Sequence, residues 1–197
     1  LPFREPMRNA YGESIFADAI EVPLVSRDIT EGRIAMRERY GISPEDLLIF
    51  LNAPLTSSLL KELRKREIAV LVPSNASMPV EGVTPIWPDE TESHNCIAMC
   101  DLVVSKAGYS TVSEAVRAKV PIRILRREGF AEDPWIIREV EALGVGQEVP
   151  MDEYLSGGWI PKCADAASYQ GVYDHLPARY NKNGVDVIRH EIIRLLS

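Results

Sequence analysis

The chain has 197 residues, 46% apolar and 26% charged, and its 22 Lys and Arg against 29 Asp and Glu give a net charge of −7. That balance describes one soluble globular domain, with or without extra segments, and argues against a general nucleic-acid or anionic-membrane surface. No apolar run approaches membrane-spanning length, and three cysteines in a chain too large to need stapling predict reduced thiols and a cytoplasmic setting.

Residues 1–28 carry three prolines and no sustained hydrophobic period, and read as an interdomain connecting segment that needs something to lie against. No secretory leader is recognisable, and the start at Leu1 in place of methionine leaves open a portion preceding it. The domain proper is expected over 29–197. "RIAMRERY" (33–40) predicts a short helix stopped by Gly41. Apolar runs at 47–51, 68–72, 84–87, 101–105 and 121–125 then alternate with helical patterns at 56–66, 92–100, 111–119 and 133–143. Continuous runs are the mark of strands buried on both faces, so the pattern predicts an α/β, Rossmann-like, doubly wound parallel sheet. Cys96 and Cys100, four apart on one helix near His94, fall short of a metal's ligand set and read as core. An irregular stretch follows with Trp159, Tyr169, Tyr173 and Tyr180. The last helix gathers Val185, Val187, Ile188, Ile192 and Leu195 on one side.

The densest chemistry lies in "VVSKAGYSTVSEA" (103–115), a strand, a turn and a helix start. In an open parallel sheet, ligands bind beyond the carboxyl ends of the strands, where helix N-termini offer N–H groups to anions. Gly108 permits close backbone approach or positive φ, Ser110 and Thr111 can donate hydroxyls to phosphate, and Lys106 adds charge. Glu114 suits a pair of ribose hydroxyls. The same residues also spell a Thr111-x-x-Glu114 capping box behind a turn glycine, and spacing alone leaves both readings open. Neither G-x-G-x-x-G nor P-loop spacing is present.

"DLVVSKAGYSTVSEAVRAKVPIRIL" (101–125) closely resembles the donor-site segment of GT-B glycosyltransferases, including the bacterial enzyme that adds N-acetylglucosamine to the lipid-linked peptidoglycan precursor. Continued into "RREGFAEDPWIIRE" (126–139), it is also similar to the glycosyltransferase-like half of plant arabinokinases. The resemblance implies one half of a GT-B fold, the C-terminal, donor-binding half. Its ligand would be a nucleotide-diphosphate sugar, a UDP-sugar foremost, with no cofactor and no metal. Gly108, Tyr109, Ser110 and Thr111 would line the diphosphate, Glu114 would hold the ribose, and Lys106 would sit near the base or phosphate. Trp87 and Pro88 would lie beside the nucleobase, with Glu132 and Asp133 at the donor sugar, where the family often carries an acid–glutamine pair. The acceptor site and general base would belong to an N-terminal domain absent from this chain, so no catalytic residue is assigned. His94, His175 and His190 are expected to be structural or exposed.

The sequence departs from the family pattern twice. The turn after the first strand, "NAPLTSS" (52–58), has no glycine, leaving Asn52, Thr56 and Ser57 as anion ligands, and "GFAEDPW" lacks the usual glutamine. Two other readings stay open: a non-catalytic, glycosyltransferase-like binding or regulatory module, and a nucleotide-sugar epimerase on the same fold.

Overall fold

The computed structural model describes residues 22–74, 81–160, 169–177, 180 and 182–197. The greater part of the connecting segment and part of the aromatic stretch lie outside them. Six strands form one all-parallel sheet: β1 (Leu48–Asn52), β2 (Ala69–Val72), β3 (Val83–Pro85), β4 (Leu102–Lys106), β5 (Ile122–Leu125) and β6 (Gly146–Glu148). Their spatial order is β3-β2-β1-β4-β5-β6, so the winding reverses between β1 and β4. Register pairs Ile49 with Leu102 and Asn52 with Ser105, which brings the carboxyl ends of these two strands level.

The strands are unbroken apolar runs because helices cover both faces. Alternate side chains enter two separate cores. Leu48, Phe50, Leu71, Val103, Ile122 and Ile124 join one, built against α1 (Arg33–Arg39), α3 (Ser93–Ala98), α4 (Tyr109–Arg117), α5 (Asp133–Ala142) and α7 (Gln170–Asp174). Ile49, Leu51, Val70, Val72, Leu102, Val104 and Leu125 join the other, against α2 (Ser57–Lys65) and α6 (Met151–Ser156). Cys96 and Cys100 are both free and buried in the first core. Among the aromatics, Trp159, Tyr173 and Tyr180 are buried as well, so they close the domain upon itself.

Several local expectations need correcting. Strand β6 was not anticipated, since "GQE" carries no apolar run; it is admitted by Gly146, where a Cβ would collide with the carbonyl oxygen of Ile122. The capping box at Thr111 is not formed. Helix α4 begins two residues earlier, at Tyr109, with Gly108 as N-cap, so Thr111 is already its third residue. Nor does Gly108 use positive φ: its backbone sits at φ −90°, ψ 128°.

The described end of the connecting segment, residues 22–31, forms a strap with no regular structure of its own. Asn95 Oδ1 accepts from Thr30 N–H at 3.0 Å, and His94 Nε2 donates to the Asp28 carbonyl at 2.8 Å. At its other end Asn183 Nδ2 donates to the Ser26 carbonyl and Gly184 N–H to the Leu24 carbonyl, each at 2.8 Å. Gly184 opens the last helix, α8 (Gly184–Leu196), and any Cβ there would strike the Pro23 carbonyl. The apolar side of α8 faces outward: Ile192 is 51% and Leu195 74% exposed. No described helix is long and apolar enough to cross a membrane.

Candidate functional site

The reversal between β1 and β4 creates a crevice at the carboxyl ends of both strands, the place where open α/β sheets take ligands. Two helices start there. Helix α4 is entered through Lys106, exposed at the end of β4, then Ala107 and Gly108. The Gly108 N–H turns back to the Lys106 carbonyl at 2.7 Å, and no side chain caps the helix. A Cβ at Gly108 would meet nothing within 4 Å. The glycine is therefore demanded neither by its dihedrals nor by protein packing. Ser110 is exposed and Thr111 half-buried in the first turn, at the positive end of the helix dipole.

Tyr109 and Glu114 turn toward the strap. Val25 N–H donates to the Tyr109 hydroxyl at 3.0 Å, and burial pushes that phenol above its ordinary pKa. Glu114, 9% exposed, accepts from Arg27 Nε through Oε1 at 2.9 Å. The same guanidinium donates to the Thr91 carbonyl at 3.1 Å and to Ser93 Oγ at 3.0 Å. One arginine thus joins Glu114 to the end of the loop that carries Trp87 and Pro88. Trp87 is 41% exposed, with its ring stacked on Tyr40 at 4.5 Å between centroids, and Pro88 is exposed beside it. These two leave β3, three strands from β4, so only the loop's return toward α3 brings that segment near the corner.

Glu132 and Asp133 stand at the start of α5, and their partner is Arg127. Asp133 is fully buried; Oδ2 accepts from Arg127 N–H at 2.6 Å and Oδ1 from Arg127 Nη2 at 2.6 Å. Glu132 Oε1 accepts from Nη2 at 2.8 Å. Hydrogen bonding to Asp133 pushes the Arg127 guanidinium above its ordinary pKa. Arg126, Arg127, Gly129 and Phe130 line an open groove of about 470 Å³ next to this pair. Lys106, Gly108, Tyr109, Ser110, Thr111 and Glu114 are thus gathered at one corner. Glu132 and Asp133 sit on the neighbouring loop, and Trp87 and Pro88 lie farthest off. Sequence reasoning missed Arg27 and Arg127. Arg27 gave no signal in an aperiodic segment, whereas the pairing of "RR" with "ED" across one short loop could have pointed to Arg127.

Of the histidines, His94 is buried against the strap while His175 and His190 are exposed. On the β1 side, Thr56 caps α2 by accepting from Leu59 N–H at 3.2 Å.

The sheet order and the corner at its switch point define a Rossmann-like α/β domain corresponding to one half of a GT-B fold. No family model matches the chain. It is 29% identical over 172 residues to the L-arabinokinase of Arabidopsis thaliana, which covers 81% of this chain and 16% of that protein. Among solved structures it resembles the glycosyltransferase SsfS6 of Streptomyces sp. SF2575, with TM-score 0.59, 21% identity, and coverage of 85% of this chain and 45% of that one. It also resembles the spinosyn rhamnosyltransferase SpnG complexed with thymidine diphosphate, with TM-score 0.56, 13% identity, and coverage of 88% and 52%. The UDP-GlcNAc 2-epimerase of Neisseria meningitidis, bound to UDP-GlcNAc, matches with TM-score 0.57, 16% identity, and coverage of 82% and 49%. The chain thus spans about half of each of these solved chains and a sixth of the arabinokinase.

Proposed function

We propose that this chain is the nucleotide-diphosphate-sugar-binding domain of a glycosyltransferase, completed by an N-terminal, acceptor-binding domain. The observation that carries the reading is Gly108. At the switch point of the sheet, a helix opens on a glycine with ordinary dihedrals, no side-chain cap and empty space where a Cβ would stand. An approaching diphosphate accounts for all three. The N–H groups of Tyr109 to Thr111 and the hydroxyls of Ser110 and Thr111 would take its oxygens, with Lys106 supplying charge. During transfer the same donors would stabilise the charge on the leaving diphosphate, each contributing about 3–4 kcal/mol when preorganised.

Glu114 would accept from the ribose. Arg27 contacts its Oε1, and a carboxylate's second oxygen can take a hydroxyl without displacing that partner. Trp87 and Pro88 would lie toward the base, and Glu132, the exposed member of the acidic pair, toward the sugar. The outward apolar side of α8 supports a partner domain there. The free, buried thiols of Cys96 and Cys100 suit a reducing, cytoplasmic setting. A binding-only module is the second reading, favoured by the β1–α2 turn, which has no glycine and where Thr56 closes the helix end with its own side chain.

Calorimetric titration with UDP, TDP, GDP and ADP, alongside Glu114→Ala, tests the proposal. The expected result is saturable binding of one diphosphate, weakened about tenfold in the variant. Stability should change by less than about 1 kcal/mol, because Arg27 is exposed enough to rehydrate. Binding of none of the four at millimolar concentration would overturn the reading for this chain.

A further inference from the structure

Arg127 is a loop residue with the bonding of a core residue. Its Nε and Nη2 form a fork on Asp133, which is fully buried, and its own backbone N–H reaches the same carboxylate. The guanidinium carbon lies 3.8 Å from the centre of the Phe130 ring. From that fixed position Nη2 also donates to the Ala107 carbonyl at 3.0 Å, across 20 residues of chain. Ala107 directly precedes Gly108, the N-cap of α4. A peptide unit is planar, so a hydrogen bond to the Ala107 oxygen also fixes the plane that carries the Gly108 N–H. The loop after β5 thereby sets the orientation of the turn after β4, and does so from an anchor shielded from water.

We propose that Arg127 is a positioning residue for the diphosphate corner, holding the Ala107–Gly108 peptide and the first turn of α4 aligned before any ligand arrives. The proposal rests on the nucleotide reading of that corner. A lysine keeps the positive charge opposite Asp133 but has no planar fork and cannot hold both the carboxylate and the Ala107 carbonyl in the same geometry. Misplacing a binding group by about 1 Å is enough to cost up to about a hundredfold when geometry is what the site supplies.

The test compares the full chain with Arg127→Lys and Phe130→Ala, the latter removing a half-exposed ring that belongs to neither core. Two readouts are needed: amide hydrogen exchange without ligand of Gly108 and Val112, whose N–H groups are held by the Lys106 and Gly108 carbonyls, and the affinities for UDP, TDP, GDP and ADP. In Arg127→Lys the expected result is faster exchange confined to those two amides, with affinity for the bound diphosphate at least about tenfold lower. Phe130→Ala should shift both in the same direction by less. Unchanged exchange at the corner, or faster exchange with unchanged affinity, would overturn the positioning role while leaving the nucleotide reading intact. Faster exchange in a protein whose unaltered form binds none of UDP, TDP, GDP and ADP would overturn both. If Arg127→Lys fails to fold, Phe130→Ala alone decides the matter by the same two readouts.

Discussion

Two helices start side by side at the switch point, and their first residues have nearly the same backbone. Thr56, before α2, sits at φ −88°, ψ 155°; Gly108, before α4, sits at φ −90°, ψ 128°. The first closes its helix with its own side chain, accepting from Leu59 N–H. The second carries no side chain to do so. One turn satisfies itself, and its neighbour leaves donors facing the crevice. Local stability explains the threonine, since a capping hydroxyl is worth about 0.5–2 kcal/mol to a helix. It does not explain the glycine.

Exchanging the roles of the two turns should produce unequal effects. Gly108→Asp would place a capping carboxylate where the diphosphate is proposed to sit. Titration with UDP and TDP should show affinity reduced by at least about a hundredfold, while thermal melting shows stability held or raised by a few tenths of a kcal/mol. A variant that still binds would mean that the corner holds no anion. Thr56→Ala should do the reverse, lowering stability by about 1 kcal/mol in urea unfolding with nucleotide affinity within a factor of about two. Loss of affinity there would make the β1 turn part of the site.

The smallest effect belongs to a third loop end, where Arg126 Nε and Nη2 meet Glu148 Oε1 and Oε2 at 2.7 Å each. Arg126 holds the Glu148 carboxyl below its ordinary pKa, so the pair's contribution is present above about pH 4.3 and fades as pH falls through the lowered value. Both groups are partly exposed, so melting curves of Arg126→Ala should converge on the unaltered chain in acid and differ by under about 1 kcal/mol at neutral pH.

The alternation of strands and helices could be read from the chain because each central strand is buried on both faces and must be apolar throughout. β6 could not: as a three-residue edge strand it relies on the absence of a Cβ at Gly146, which shows only against the Ile122 carbonyl. At the corner, Gly108, Ser110, Thr111 and Glu114 were visible as an excess of chemistry over what a turn requires. The helix start was misplaced because Thr111 and Glu114 fit a capping box by spacing. Arg27 was invisible for a different reason. Its partner Glu114 lies 87 residues away, and a surface arginine in an aperiodic segment looks like any solvated charge until the fold brings the two together.

The strap's attachment to α8 ties the beginning of the described chain to nearly its last residues. Asn183 reaches Ser26 across 157 positions, and Gly184 fits only because it has no side chain to meet Pro23. Closing so long a loop is entropically slow to reward, and parallel sheets already fold late for the same reason. On the ribosome, residues 22–31 would emerge early and wait through the synthesis of every strand before their final clasp appeared. The corner beneath them would take shape first, and the strap would be fastened over Tyr109 and Glu114 as one of the last events of folding.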